Sequence, residues 1–234
     1  MPVLLTLPIR EILPATPRAR VLRLDLADRT FEYEPGQAVF VGAHGQPARK
    51  PYSIAAAPED AARERCLELL VGVDEDGAPG EHLELELGRA VDVDGPIGTF
   101  TFPPDPVERR FLFVAGGTGI APLRAMIRHA IARGHRDLGV LYSARTPTDF
   151  AYEAELHDLA RGGAIALRQT ITRTVDDAWR GGHGRIGRDD LAPLVHDRRT
   201  LCFVCGPPSL VDEIPRALEG LGIARSRIRL EEWG

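Results

Sequence analysis

Hydrophobic and polar positions alternate early in the chain, where Leu22, Leu24 and Leu26 flank Arg23 and Asp25. That is the two-residue period of a half-buried strand. The same short rhythm runs from Pro8 to about Phe102. It predicts strands at Gln37 to Val41, Tyr52 to Ala57, Leu67 to Val73, Ala90 to Val93 and Gly98 to Phe102. Turn sequences separate them, among them Glu34-Pro35-Gly36, Glu75-Asp76-Gly77 and Asp94-Gly95-Pro96. Several short strands in succession predict an antiparallel Greek-key β-barrel. Pro103-Pro104-Asp105-Pro106 then breaks any regular element and serves as a linker.

Beyond the linker the rhythm changes. Phe111 to Ala115 is a continuous apolar run, after which Leu123, Met126, Ile127, Ala130 and Ile131 recur at helical spacing until Gly134. The alternation continues through strands at Leu138 to Ser143, Ile165 to Ile171, Thr200 to Val204 and Arg227 to Leu230. Helices are predicted near Glu153 to Arg161, Asp189 to His196 and Ser209 to Leu218. Strands joined by helical crossovers predict a doubly wound, parallel, five-stranded α/β domain. The expected division is a barrel domain over residues 1–105 and an α/β domain over residues 106–234.

Composition narrows the function. With 44% hydrophobic and 27% charged residues, the 234-residue chain is an ordinary globular protein and not a disordered one. A net charge of -5 with both signs interspersed leaves no basic stripe for a phosphate backbone, so nucleic acid is not an expected partner. No apolar run approaches the roughly 20 residues of a membrane helix, and the first residues lack the pattern of a signal peptide. A cytoplasmic protein without a membrane span is expected. Three cysteines, an odd number, are expected as reduced thiols. Cys202 and Cys205 spell C-x-x-C, but no second ligand pair accompanies them and no metal site is expected.

The chemistry is concentrated at glycine turns. Gly116-Gly117-Thr118-Gly119 lies between a buried strand and an amphipathic helix, with Pro122 near the first helical turn. Backbone N–H groups approach a diphosphate most closely where residues lack Cβ atoms, and a helix N-terminus adds partial positive charge. The spacing is not G-x-G-x-x-G, and a tight turn without ligand is the competing reading. A second glycine turn, Cys205-Gly206-Pro207-Pro208, follows the fourth strand of the same sheet. Ligands of open α/β sheets bind at such carboxyl ends. For Cys205 alone, a small buried hydrophobe is the competing reading.

Gly116-Gly117-Thr118-Gly119-Ile120-Ala121-Pro122, Cys205-Gly206-Pro207 and Pro51-Tyr52-Ser53 together resemble the ferredoxin–NADP reductase superfamily. The resemblance spans nearly the whole chain. It includes Pro35-Gly36-Gln37, Gly95-Pro96-Ile97-Gly98, Tyr142-Ser143-Ala144-Arg145-Thr146-Pro147 and Glu231-Glu232-Trp233. It implies a barrel that holds FAD, rather than FMN, and a second domain that presents NADPH or NADH to it. By the resemblance, Tyr52 lies against the flavin ring and Ser53 hydrogen-bonds near its reactive nitrogen. The family's phosphate-holding arginine is replaced by Lys50, the only lysine of the chain, next to Arg49. Lysine acts on phosphate as a point charge without the bidentate fork. The family's pyrophosphate-binding serine is replaced by Gly80, in Gly80-Glu81-His82. Val71, Val73, Glu81 and His82 complete the implied flavin contacts.

In the other half, the resemblance assigns Thr118 and Cys205 to the nicotinamide pocket, with Glu231 nearby. Trp233 would cover the flavin face until the nicotinamide displaces it. Arg145, Arg173 and, more weakly, Arg185 are the candidates for the 2′-phosphate that distinguishes NADPH from NADH. The implied activity is hydride transfer from the nicotinamide to the flavin, followed by electron transfer to a separate acceptor such as a ferredoxin or flavodoxin. Three cysteines cannot form a four-cysteine cluster site, so the acceptor is expected to be another molecule. The alternatives are an electron-transfer subunit of a larger oxidoreductase, a free-flavin reductase, and a flavin-binding regulatory protein without turnover.

Overall fold

The computed structural model describes residues 3–173 and 178–233. The chain divides into two compact units, Met1–Phe102 with Arg124–His129, and Pro103–Leu123 with Ala130–Gly234.

The first unit contains six antiparallel strands: β1 Val3–Thr16, β2 Ala19–Asp25, β3 Ala38–Ala43, β4 Lys50–Ser53, β5 Cys66–Gly72 and β6 Ala90–Ile97. Their order is β4-β3-β6-β1-β2-β5, and a bridge between Ile54 and Leu69 brings the two edges together as a near-barrel. The core inside is aliphatic, with Leu7, Leu22, Leu24, Val39, Leu67, Leu69 and Val93 all buried.

β1 is longer than the alternation suggests, because two prolines lie within it. Its first half, Val3 to Pro8, pairs with β6, and its second half, from Ile9, pairs with β2. Pro8 stands where the strand changes partner, so its missing N–H falls at a break between two ladders. Two further expectations are corrected. The strand expected through Ala57 ends at Ser53 and is followed by a helix, α1 Pro58–Glu64, with proline in its first turn and Glu59 and Asp60 behind it. Gly98 to Phe102 forms no strand, because β6 ends at Ile97 and Gly98 turns the chain with φ of +96°. Within this unit Arg124 is buried, donating to Glu68 at 2.8 Å and to the Ala55 carbonyl at 2.8 Å.

The second unit contains β7 Arg110–Gly116, α2 Ile120–Ala132, β8 Asp137–Ala144, α3 Glu153–Arg161, β9 Ala166–Ile171, β10 Gly182–His183, α4 Arg188–Leu191, β11 Leu201–Gly206, α5 Pro208–Gly220 and β12 Ile228–Glu232. Every pairing is parallel, in the order β10-β9-β8-β7-β11-β12. Among the described residues the sheet therefore has six strands, not five. The additional one, β10, is two residues long and too short to carry a period. The chain winds outward from β7 to one edge and returns at β11 to build the other side, so β7 and β11 flank the switch point. Leu112, Val114, Leu141, Cys202 and Val204 fill one face beneath the helices. Phe113 and Phe203 stack at 5.4 Å between centroids.

Among the described residues, no helix is long and apolar enough to cross a membrane, and no group of His, Cys, Asp and Glu could hold a metal ion. Cys66, Cys202 and Cys205 are free and buried.

Candidate functional site

In the second unit the predicted residues gather at the carboxyl ends of the strands. β7 ends at Gly116 and β11 at Gly206, so the two glycine turns emerge side by side at the switch point. Their glycines are required by close approach. A Cβ on Gly119 would stand 2.3 Å from the Cys205 carbonyl oxygen, one on Gly206 would stand 3.0 Å from the Gly116 backbone, and one on Gly116 would stand 2.8 Å from Pro207 Cδ. Gly117 differs: its φ is +55° and it faces open space. Gly117 and Thr118 are exposed, whereas Gly119 and Pro122 are buried at the start of α2. The turn thus offers exposed backbone at a helix N-terminus, a fit for a nucleotide phosphate.

The loop is held from below by Tyr142, a residue to which the sequence assigns no role. Its buried hydroxyl donates to the Gly117 carbonyl at 2.9 Å and accepts from the Ala151 N–H at 3.1 Å. The signal was a tyrosine within an apolar strand, whose hydroxyl must find a partner when buried.

Cys205 is fully buried and pairs in register with Glu231 of β12. Burial, and secondarily the Glu231 charge, pushes the thiol well above its ordinary value, so it is a neutral SH and not a thiolate. Glu231 is itself raised by burial, against a hydrogen bond from the Trp233 indole at 2.8 Å. The Trp233 backbone N–H donates to the Gly206 carbonyl at 3.0 Å, which ties the end of the chain to the second glycine turn. Arg145 and Arg173 are exposed just past β8 and β9 and are joined by a backbone bond from Arg173 N to Arg145 O at 2.8 Å. Arg185 stands apart, beyond β10, in an ion pair with Glu213 at 3.0 Å.

In the first unit the predicted residues lie on β4 and on the turn before Leu83. Lys50 and Pro51 are exposed, Tyr52 is half-buried and Ser53 is buried. Val71 and Val73 are buried on and just after β5, and Glu81 is exposed beside a cavity of about 470 Å³ that His44 and Arg89 also line. Arg49 is occupied elsewhere, at 3.4 Å from Asp92 and 3.9 Å from Asp94. Among the described residues Lys50 makes no such pair. Its ammonium stands 3.4 Å from the point where a Cβ on Gly80 would be, and His82 Nδ1 stands 3.5 Å from the same point.

His82 is 4% exposed, and its Nδ1 has no hydrogen-bond partner among the described residues. Its Nε2 is 2.7 Å from the Tyr52 hydroxyl. Burial pushes the Tyr52 phenol up to about 12, so the hydroxyl keeps its proton. Burial, with the Lys50 charge, lowers the His82 pKa and keeps the imidazole neutral. A lysine and an unpaired buried ring nitrogen beside a bare glycine fit an anionic group of a flavin.

These two half-sites define a protein that binds a flavin on a barrel and a nicotinamide dinucleotide on a doubly wound sheet. The comparisons agree on the class. The model of the oxidoreductase FAD-binding domain matches residues 6–102, and that of the oxidoreductase NAD-binding domain matches residues 113–215. Ferredoxin–NADP reductase B of Sorangium cellulosum is 34% identical over 94% of this chain and 93% of its own length. The glycine betaine monooxygenase reductase subunit of Pseudomonas aeruginosa is 29% identical over 87% of this chain and 57% of its own. A crystal structure of a ferredoxin NADP+ reductase from Neisseria gonorrhoeae with bound FAD and NADP shares the fold. It has a TM-score of 0.80 at 17% identity and covers 98% of both chains. The chain belongs to the ferredoxin–NADP reductase family of FAD- and NAD(P)H-dependent oxidoreductases.

Proposed function

We propose that the chain is the reductase component of an electron-transfer system, taking a hydride from NADPH and delivering electrons to a separate small redox protein such as a ferredoxin or flavodoxin. The observation that carries the nucleotide half is the contact between the Gly116 and Gly206 backbones at the switch point, which leaves Gly117 and Thr118 exposed between them. Bound flavin and nicotinamide supply the hydride chemistry, and the protein supplies binding, orientation and electrostatics. In this reading Lys50, Tyr52, Ser53 and His82 hold the flavin. Gly116 to Gly119 and Cys205 to Pro207 hold the dinucleotide, and the neutral Cys205 thiol and Glu231 border the nicotinamide. Trp233 covers the flavin face when the nucleotide is absent. Three buried free thiols are in keeping with a place in the cytoplasm.

The preference for NADPH rests on Arg145 and Arg173, two exposed cations on neighbouring strand ends without an ion pair among the described residues. Arg145→Ala should lower kcat/KM for NADPH about tenfold while leaving NADH nearly unchanged, the scale of one lost charge-assisted contact. Equal losses with both nucleotides would remove Arg145 from this role.

A second reading, a reductase subunit inside a larger oxidoreductase, is favoured by the likeness to the glycine betaine monooxygenase reductase subunit. One experiment separates the readings. The purified yellow protein is mixed anaerobically with NADPH, then with ferredoxin or flavodoxin. A free-standing reductase bleaches and passes electrons on; a subunit bleaches but needs its own partner; a regulatory protein never bleaches. Trp233→Ala in the same experiment should change the nucleotide affinity or the bleaching rate.

A further inference from the structure

The strands of a parallel sheet all begin at one edge, so residues far apart in sequence meet there. In the second unit the neighbouring strands β8, β7, β11 and β12 begin in this way, and arginine stands ahead of each. Arg136 precedes β8, Arg109 precedes β7, Arg198 and Arg199 precede β11, and Arg225 precedes β12. The ladders pair Arg110 with Asp137 and Phe111 with Leu201, so counting back places Arg136, Arg109 and Arg199 level with one another. Arg227, also ahead of β12, donates to the Arg199 carbonyl at 3.2 Å. Arg198 Nε stands 2.9 Å from the point where a Cβ on Gly222 would be. With about 4.8 Å between strands, the row is about 15 Å long.

The acids within the row are already taken. Glu108 pairs with Arg227, Asp137 with Arg110 at 2.6 Å and Asp197 with Arg199 at 3.0 Å. Arg109, Arg136, Arg198 and Arg225 are exposed and have no ion pair among the described residues. Asp105 ahead of β7 and Glu219 at the end of α5 still leave the excess positive, on a chain whose net charge is -5. Like charges held side by side repel, and an acidic partner relieves that repulsion.

We propose that this arginine row is a docking surface for an acidic segment of a partner protein. The cations are interleaved with the Glu108, Asp137 and Asp197 carboxylates, which oppose a continuous phosphate surface but allow separate carboxylates to be met one at a time. The guanidinium fork matches a carboxylate with two parallel hydrogen bonds. Val107, 88% exposed and two residues ahead of Arg109, adds the apolar contact that protein interfaces place beside charged groups. The row lies at the amino ends of the strands and the glycine turns at their carboxyl ends, about 20 Å away along a seven-residue strand. A segment seated on the row therefore leaves Gly117 and Thr118 open to the dinucleotide.

The test follows the anisotropy of a fluorescein-labelled oligoglutamate peptide added to the full chain at low ionic strength, where exposed charges are least screened. The wild type should bind it despite its own negative charge. Arg109→Gln combined with Arg225→Gln should weaken binding about tenfold, the scale of two exposed ion pairs. Arg168→Gln combined with Arg188→Gln, the same charge change at exposed positions off the row, should weaken it much less. No binding by the wild type, or equal losses in the two double variants, overturns the proposal. Phosphatidylserine vesicles or a DNA duplex held more tightly than the peptide through Arg109 and Arg225 would assign the row to phosphate instead and sink the acidic segment. Sedimentation of the wild type adds one more check, because an oligomer that dissociates in the Arg109→Gln, Arg225→Gln variant would mean that a second copy of the chain fills the row. If that variant does not fold, ¹⁵N spectra of the wild type decide. The peptide should shift the backbone amides of Arg109, Arg136, Arg198 and Arg225; shifts confined to Gly117 and Thr118 would place it on the dinucleotide turn and refute the docking surface.

Discussion

Tyr142 shows how much one hydroxyl can determine. Its ring is fully buried in β8 and meets Phe150 edge-on at 4.9 Å, while its hydroxyl joins the Gly117 carbonyl to the Ala151 N–H. Tyr142→Phe keeps the ring and removes the bridge, leaving two backbone groups without this partner. The expected cost is about 1–3 kcal/mol in urea unfolding. KM for the nicotinamide nucleotide should rise several-fold, because Gly117 loses its anchor, while affinity for FAD stays at the wild-type level. A variant with lowered stability but wild-type KM would reduce Tyr142 to a packing residue. Sequence alone shows Tyr142 within a family motif but not its partner, because the hydrogen bond links positions 25 apart through the fold. Lys50 was legible for the opposite reason. A lone lysine among arginines is visible without coordinates, whereas the unpaired nitrogen of His82 is not.

At the scale of elements, the two glycine turns were legible as turns, but the reason for each glycine was not. Gly117 and Gly119 are alike in sequence and different in physics. An alanine at Gly117 meets no atom within 4 Å and bears only the strain of φ at +55°, about 1 kcal/mol. An alanine at Gly119 places its Cβ 2.3 Å from a backbone oxygen of the other turn, which has no side chain to swing aside. Gly119→Ala should therefore cost about 3 kcal/mol or more and weaken nucleotide binding by moving Cys205 and Gly206. Urea unfolding of the two variants decides this, and equal costs would refute the close-packing account. Regular elements followed the same rule of local against distant information. α3 is readable in sequence from Glu153 to Arg161, because acids at its start and arginine at its end match the helix dipole. α1 and β10 escape, being only seven and two residues long. β1 hides behind Pro8, whose place at a change of pairing partner is settled by the neighbouring strands, and Pro14, which lies within the ladder to β2 next to a register shift.

For the molecule as a whole, acid stability exposes a cluster outside the cofactor sites. Asp92 of β6 is 5% exposed and accepts hydrogen bonds from Thr6 of β1 at 2.8 Å, from His44 at 2.8 Å and from the Gly45 N–H at 3.2 Å. One carboxylate thus fastens β6 to β1 and to the turn after β3. Burial works against its charge, but the bonds from His44, Thr6 and Gly45 outweigh burial and hold it at about 2, below the ordinary 3.8. A depressed folded-state pKa gives a contribution that is complete above the unfolded value and is lost as pH falls through the folded one. The window therefore runs from 3.8 down to about 2. Asp92→Asn keeps the shape and removes the charge. The variant should be less stable than wild type near neutral pH, with a gap that narrows below 3.8 and closes at about 2. Urea unfolding followed by far-ultraviolet circular dichroism across that range measures the gap directly. Acid effects common to both proteins, such as mutual repulsion among the 29 Lys and Arg residues once carboxylates are protonated, cancel in the difference. A gap that persists unchanged at the acid end would mean that Asp92 acts through shape and neutral hydrogen bonding rather than through its charge.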